Sequence, residues 1–144
     1  MNISHQRIKE IIDFIKGLNL AEKYKKEFTY ENIKYLLNIN ESLTHSSANI
    51  EVNYEKLEFL GDAVLRLIAS DFIKIKYPYM KVGERSELRS HLVSDQWLAE
   101  VGEKINIKSV LVIGPKALRD KSAIRTIQAE ATEAIIGALY ESLA

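Results

Sequence analysis

The sequence predicts an all-α domain, and three observations support that prediction. Apolar residues recur at three- and four-residue steps along several segments, which is the spacing of one face of a helix. The one run that suits a strand, residues 110–113, is too isolated to build a sheet. A length of 144 residues with 47% hydrophobic residues fits one domain with its own core. We therefore expect a single helical domain over residues 1–144.

Composition excludes several kinds of protein. The sequence has no cysteine, which excludes disulfides and thiolate metal sites. No apolar run reaches the length of a membrane span and no signal-peptide core opens the chain, so we expect a cytoplasmic protein without a membrane partner. Twenty basic and twenty acidic residues balance, which argues against a strong general affinity for nucleic acid. If several acids are gathered in a metal site, however, the remaining surface is basic.

Two helices are predicted near the start of the chain. The first spans residues 3–16 and ends at Gly17. Its buried face consists of Ile8, Ile11, Ile12 and Ile15. A turn region over residues 24–30 leads into the second helix, which we place at residues 31–37. Both helices serve packing in this interpretation.

A third helix is predicted to carry residues 43–47, with Asn38 or Asn40 as its cap. His45 invites a catalytic interpretation because histidine is the most adaptable acid–base group in this region. We instead expect hydrogen bonds to hold its ring, so that it anchors the turn before the next helix.

A long central helix is predicted over residues 54–76, and Pro78 ends it because proline cannot continue a helix. Its apolar residues recur at helical spacing and form a stripe that should face the core: Leu57, Leu60, Val64 and Ile68.

Two more helices are predicted after the central one. A loop at Gly83 precedes a helix that begins at Glu84 or Ser86. Ser94 and Asp95 then form the predicted cap of a helix in which Trp97 is in register with the apolar positions, so we place Trp97 in the core rather than against a base.

Three carboxylates line up along one edge of the central helix: Glu55, Glu58 and Asp62. Like charges one turn apart repel by about 0.2–0.5 kcal/mol per pair on an open surface, and by more where the dielectric is low. Glu58 has no basic residue one turn away, and Asp62 has only Arg66. A divalent metal is therefore the natural partner for these acids.

A second acidic pair occurs near the C-terminus, where Glu130 and Glu133 are three residues apart with no basic residue one turn away. Their small and apolar neighbours predict that this edge packs against another helix. Gly137 would allow the other backbone to approach closely. We predict that the two carboxylate edges face each other as a four-acid site built from two helices.

The densest basic segment precedes this second pair and consists of Lys116, Arg119, Lys121 and Arg125. It leads into the helix of Glu130, which predicts cations beside the acidic site. A substrate that carries phosphates would explain this placement, and surface solubility would explain it almost as well.

Residues 57–65, Leu-Glu-Phe-Leu-Gly-Asp-Ala-Val-Leu, closely resemble the signature segment of the ribonuclease III family. The preceding Asn53 and Glu55, and residues 43–45, extend the resemblance. Residues 129–140 resemble the second acidic motif of that family. The order and separation of the motifs also match, so the resemblance covers nearly the whole chain.

The resemblance implies an all-helical endonuclease bundle that forms a homodimer. Such a domain cuts double-stranded RNA with Mg²⁺, with Mn²⁺ as the alternative ion, and leaves 5′-phosphate and 3′-hydroxyl ends. The family's metal-site acids fall on four positions of this chain: Glu58, Asp62, Glu130 and Glu133. Glu55 matches an accessory acid, and Phe59 matches the aromatic residue that the family buries in its partner subunit.

Three departures from the family pattern affect these expectations. Glu130 stands where the family normally has aspartate, and the added methylene moves the carboxylate by roughly 1 Å or more, so we expect lower activity or a changed metal preference. Val82 stands where many members have a further acid, and residues 114–125 lack paired glycines. The resemblance includes no double-stranded-RNA-binding domain, which implies a minimal member or a fragment.

Three functions compete at this point. The leading one is a Mg²⁺-dependent, double-strand-specific endoribonuclease in RNA processing. The second is a ribonuclease-III-like RNA-binding or ribosome-associated structural protein that has lost efficient cleavage, an interpretation that rests on Glu130. The third is a helical metal-dependent hydrolase of nucleotides. Acids at all four positions favour the enzyme, because a scaffold has no need for unpaired like charges.

Overall fold

Two long helices form the centre of the fold in the computed structural model, which describes residues 3–144. They are α4, Glu55–Lys76, and α8, Lys121–Leu143, and they pack against each other. Shorter helices surround them: α1 His5–Gly17, α2 Glu22–Lys25, α3 Ile33–Ser42, α5 Val82–Leu92, α6 Asp95–Lys104, a 3-10 helix Ile107–Val110, and α7 Pro115–Leu118. The described residues contain no strand, only an isolated parallel bridge between Thr44 and Val112. The all-α prediction is confirmed.

The crossing of α4 and α8 depends on two glycines. A Cβ added to Gly61 would overlap the Glu133 carbonyl oxygen, and one added to Gly137 would overlap the Leu57 carbonyl oxygen. Any side chain at either position would therefore push the two helices apart. The expected close approach at Gly137 is confirmed.

The first helix forms as predicted. Ser4 caps α1, because its Oγ accepts a hydrogen bond from Arg7 N at 3.1 Å. All four isoleucines of its apolar face are buried: Ile8, Ile11, Ile12 and Ile15. The apolar spacing and the glycine at the end of the segment were sufficient to define this element.

The predicted helix break at Asn38 or Asn40 is wrong, since α3 continues through both residues and ends at Ser42. Asn40 Oδ1 accepts a hydrogen bond from Arg7 Nε at 2.8 Å, and Asn38 Nδ2 donates to Ser142 Oγ at 3.4 Å. The two side chains thus bind distant helices instead of capping a local one. The helix predicted for residues 43–47 is correspondingly part of a loop.

His45 lies in this loop and has the structural role that we expected. Ser47 N donates to His45 Nδ1 at 3.1 Å, and Ser47 Oγ lies 2.7 Å from the same nitrogen. The backbone N–H of His45 donates to Val112 O at 2.9 Å, and Gly114 N donates to Ser47 Oγ at 2.8 Å. These bonds hold the loop in front of α4.

The central helix α4 begins one residue after the predicted start and ends at the predicted residue. Its core stripe is only partly as predicted. Leu57 and Val64 are buried and Leu60 is half-buried, but Ile68 is 54% exposed, so its core assignment is wrong. The later turns of α4 contact α5, where Arg89 Nη1 donates to Ser70 Oγ at 3.1 Å, and their buried residues lie on a different face, at Ala69 and Ile73.

The helices that follow differ in detail from the prediction. The predicted loop at Gly83 is wrong, because α5 already begins at Val82 and Glu84 accepts a hydrogen bond from Lys81 N at 3.3 Å. The predicted cap of α6 is confirmed, since Ser94 Oγ accepts from Trp97 N at 3.2 Å.

The core assignment of Trp97 is wrong. Its side chain is 37% exposed, and its ring centroid lies 5.6 Å from that of His91. The buried residues of α6 are Leu98, Ala99 and Gly102, on the neighbouring face that packs against α8. Among residues 3–144, no helix has the length and apolar character needed to cross a membrane.

Candidate active site

Five carboxylates that the sequence singled out are carried by the two central helices. Glu55, Glu58 and Asp62 lie on the first two turns of α4, and Glu130 and Glu133 lie in the middle of α8. The close approach of Gly61 to the Glu133 backbone brings these two segments together. A cleft of about 340 Å³ results, and its lining consists of Glu55, Glu58, Phe59, Asp62 and Glu133.

Glu130 reaches the same cluster from the side of Tyr54. Tyr54 Oη donates a hydrogen bond to Glu130 Oε1 at 3.2 Å, and burial followed by the nearby charge of Glu130 raises the pKa of Glu58. The facing arrangement predicted for the two acidic edges is therefore present in the structure. Glu55 is the outermost of the acids and is exposed.

The acids perturb one another. Burial raises the pKa of Glu58 to about 8, and the nearby charges of Glu130, Glu133 and Asp95 add to the effect. Burial likewise raises the pKa of Glu133 to about 7, with Asp62, Asp95 and Glu130 raising it further and Arg66 opposing them. Both carboxyl groups therefore hold a proton over part of the neutral pH range. Perturbed acids that gather in a cleft are typical of functional sites.

Arg66 is the only cation among the described residues within salt-bridge distance of these acids. Its Nε donates to both oxygens of Asp62, at 3.1 Å each. Both side chains of this pair are about half exposed, so the pair contributes little to the free energy of unfolding. Within the described part of the chain, none of the four glutamates of the cluster has a salt-bridge partner: Glu55, Glu58, Glu130 and Glu133.

Sequence reasoning missed two residues of the site. Asp95, in the first turn of α6, was interpreted only as part of a helix cap, yet its charge acts on both Glu58 and Glu133. The packing of Gly102 against Thr132 sets α6 on α8 and thereby carries Asp95 toward the acids. Tyr54 was assigned only to the start of the helix, and no local signal in the sequence pairs it with a residue on α8.

The donor set suits a hard divalent cation. Carboxylate oxygens are the ligands that Mg²⁺ and Mn²⁺ prefer, and crowded acids with raised pKa values gain most from a neighbouring positive charge. Among residues 3–144, no three acidic or histidine side chains surround one point at ligand distances. Asp62 is turned toward Arg66, and Glu130 is held by Tyr54. The residues fit the ion by the chemistry of their carboxylate oxygens.

The basic segment that precedes α8 is only partly near the site. Its four residues are all exposed: Lys116, Arg119, Lys121 and Arg125. Asp120 caps α8 within the segment, because its carboxylate accepts from Ser122 N at 3.1 Å and from Ala123 N at 3.3 Å. Only Arg125 of the four lines a shallow cleft next to the acids, together with Asp95 and Ala129.

Phe59 lies at the edge of the acidic cleft with 85% of its side chain exposed. Other apolar side chains of α4 are also exposed: Leu67, Ile68, Phe72 and Ile75. An apolar groove continues from Ile68 to Leu143 at the end of α8. Apolar surface of this extent is typical of a protein–protein interface.

Comparison with known proteins gives consistent matches along the chain. A family model described as ribonuclease-III-like matches residues 37–142. Ribonuclease 3 of Prochlorococcus marinus is 51% identical over 142 residues, which cover 98% of this chain and 57% of that protein. A second relative, Ribonuclease 3 2 of Synechocystis, is 45% identical over 102 residues, 71% of this chain and 42% of that protein. The chain thus spans about half the length of the curated relatives it matches.

Two solved structures of the nuclease domain of ribonuclease III from Campylobacter jejuni have a similar fold. One is 28% identical to this chain, with a TM-score of 0.72, and the match covers 85% of each chain. That structure is described as showing structural flexibility in the region involved in dimer formation. The other has a TM-score of 0.71 and covers 99% of this chain and 86% of that one. At 24% identity, the second match concerns the fold alone.

Proposed function

The chain belongs to the ribonuclease III family, and from that premise we propose that it is a metal-dependent endoribonuclease that cleaves double-stranded RNA. One observation carries the proposal. The acids of α4 and α8 come together at a glycine-mediated helix crossing, where Arg66 is the one cation of the described residues within salt-bridge distance of an acid. Residues 1–144 would form the catalytic domain, with RNA processing in the cytoplasm as its setting.

Mg²⁺ is the proposed cofactor, with Mn²⁺ as an alternative, and four residues would hold it: Glu58, Asp62, Glu130 and Glu133. When bound, the ion supplies positive charge that stabilises developing negative charge on the phosphodiester oxygens. Glu58 and Glu133 must release their protons to act as ligands, so metal binding is coupled to pH. Arg66 Nε donates to both carboxylate oxygens of Asp62, so Asp62 would have to give up part of this contact to bind the ion.

The products of this reaction are proposed to be 5′-phosphate and 3′-hydroxyl ends. The cleft is lined by carboxylates and a phenyl ring, with no hydroxyl, thiol or imidazole among its described lining residues, so water is the proposed nucleophile. Glu55, at the exposed rim, is positioned to orient water or to bind an outer part of the ion's hydration shell. The cleft is open at the surface of the chain, and the exposed Glu55 is among its lining residues, which would give a duplex access to the acids.

A homodimer is the proposed state of the active protein. Phe59 would insert into the partner subunit, because a phenyl ring that is 85% exposed beside the cleft gains from burial. Dimerisation would set two acidic clefts against one duplex, one for each strand.

Basic residues near the cleft would contribute to RNA affinity. Arg125 lies closest, beside Asp95, while the more distant cations are Lys116, Arg119 and Lys121. Exposed cations contact phosphates without selecting a sequence, and such binding weakens steeply as salt increases. We therefore propose that duplex shape, rather than base sequence, determines the substrates.

A second candidate is an RNA-binding or ribosome-associated protein of this fold with little catalytic activity. It is favoured by the position of Glu130, whose longer side chain is bound to Tyr54. The two candidates differ in whether a bound metal leads to cleavage.

The deciding experiment is cleavage of a labelled RNA duplex by the purified chain at low salt, with Mg²⁺ and then with Mn²⁺. The nuclease requires cutting by the wild type and none by Glu133→Gln. Tight RNA binding without cutting, from a folded dimer with either ion, would instead support the binding protein.

A further inference from the structure

Tyr54 connects the start of α4 to the middle of α8. Its side chain is only 3% exposed, and its phenol donates to Glu130 Oε1 at 3.2 Å, across 76 residues of sequence. No other hydrogen bond to the phenol, or to the Glu130 carboxylate from a basic or amide side chain, occurs among the described residues. The pair thus forms a side-chain hydrogen bond between the start of α4 and the middle of α8.

The position of Tyr54 is itself fixed. Its backbone N donates to Thr44 O at 2.9 Å, and its backbone O accepts from Glu58 N at 2.8 Å. The His45 ring packs edge-on against the phenol ring, with centroids 5.7 Å apart. His45 is in turn held by Ser47. The hydroxyl therefore has one well-defined place, beside Glu130.

Glu130 needs such a partner more than a shorter acid would. A glutamate side chain has three rotatable bonds, and fixing it costs more rotamer freedom than fixing an aspartate does. Glu58 and Glu133 are close by, and each of them repels the Glu130 carboxylate once it has lost its proton. One hydrogen bond to Oε1 limits the rotamers and leaves the lone pairs of the second oxygen available.

We propose that Tyr54 is a positioning residue whose hydroxyl holds the carboxylate of Glu130 in the orientation that binds the divalent ion. This role rests on the proposed function only in requiring a metal at the acidic cluster. It differs from a packing role, because a phenylalanine would fill the same buried space and lack only the O–H group. The hydroxyl, rather than the ring, is the functional part of the residue.

The test is a double-mutant comparison of Mn²⁺ binding, measured by calorimetry without RNA. Four proteins are compared: the wild type, Tyr54→Phe, Glu130→Asp and the double variant. Tyr54→Phe should weaken Mn²⁺ binding about 10-fold, the usual effect of removing a partner of a metal ligand. In the Glu130→Asp protein, Tyr54→Phe should change Mn²⁺ affinity by less than about 2-fold. The shorter aspartate side chain places its carboxylate about 1.5 Å farther from the hydroxyl, so there is little contact to lose.

Tyr35→Phe is the matched control, since Tyr35 is a half-buried tyrosine that packs on Phe28 away from the acids. It should leave Mn²⁺ affinity unchanged. Thermal melts of all variants establish that each is folded, so that altered affinity reports on the site.

Three outcomes would overturn the role of Tyr54. The first is an unchanged Mn²⁺ affinity in Tyr54→Phe. The second is that Tyr54→Phe lowers Mn²⁺ affinity equally in the wild type and in the Glu130→Asp protein. The third is a wild type that binds no Mn²⁺, which would also remove the metal site. If Mn²⁺ binding follows the expected pattern while the wild type cuts no duplex, the positioning role stands and the proposed nuclease activity fails.

Discussion

Gly61 and Gly137 face each other where α4 crosses α8, with the position of a Gly61 Cβ only 3.1 Å from the backbone nitrogen of Gly137. Each glycine also meets a carbonyl of the opposite helix, that of Glu133 or of Leu57. The backbone contact sets the distance between the two acidic edges, and so it sets the width of the candidate metal site.

Gly61→Ala should therefore destabilise the protein by about 1–3 kcal/mol, the usual effect of overpacking a tight contact. Chemical denaturation measures the change. Gly83→Ala is the matched control, because no atom lies within 4 Å of the place that its Cβ would occupy and alanine favours a helix. Equal stability of the two variants would contradict the importance of the crossing.

Glu133→Gln should abolish Mg²⁺-dependent cleavage while the protein stays folded. We expect a loss of roughly 100-fold or more, since even indirect partners of metal ligands contribute 10- to 100-fold. Cleavage assays and circular dichroism provide the two measurements. Retained cutting would remove Glu133 from the set of ligands.

Phe59→Ala should weaken dimerisation by about 100-fold or more, because the dimer loses two buried phenyl rings, each of which contributes roughly 1.5–3 kcal/mol. Because Phe59 is exposed in the single chain, the change should leave the stability of the monomer nearly unaltered. Sedimentation at several protein concentrations measures the dissociation constant. A dimer as tight as the wild type's would exclude Phe59 from the interface.

The raised pKa values predict how stability depends on pH. Glu58 and Glu133 have folded-state pKa values of about 8 and about 7, above the ordinary value of 4.5. The folded protein therefore binds more protons than the unfolded chain between these values, and its free energy of unfolding falls as pH rises. The contribution of the two groups is complete below about pH 4.5 and is lost as pH rises through about 7 and 8.

Thermal melts in chelator from about pH 5 to about pH 8.5 measure this dependence. The wild type should melt at lower temperature as pH rises, and Glu58→Gln should have a flatter profile because one of the titrating groups is gone. Added Mn²⁺ should raise the melting temperature most at the alkaline end. If the melting temperature of the wild type did not fall as pH rises, the acids would be less crowded than their positions imply.

Local sequence patterns predicted much of this fold. The isoleucines of α1, the Ser94 cap and the length of α4 all follow from spacing and capping rules that act over one or two turns. The acidic edges were also recognisable, because unpaired like charges at helical spacing are costly unless something neutralises them. The glycine at position 137 correctly indicated that a second backbone lies against α8.

The errors share a different physical cause. The sequence suggests that Asn40 caps a helix, but its side chain instead accepts a hydrogen bond from the Arg7 guanidinium of α1. Ile68 and Trp97 match the apolar period of their helices, yet the partner helices cover another face. The Tyr54–Glu130 bond joins residues that no short pattern relates. Each case depends on which helices meet, which is a property of the assembled fold.

The crossing of α4 and α8 also limits how this protein can evolve. The Glu133 backbone that packs on Gly61 belongs to the same residue whose side chain enters the acidic cleft, so the core and the site share atoms. A lineage cannot enlarge one glycine first and adjust the acids later, because the first step already displaces a carboxylate. Change at this crossing is therefore coupled to change at the acids, while exposed residues that contact neither can vary one at a time.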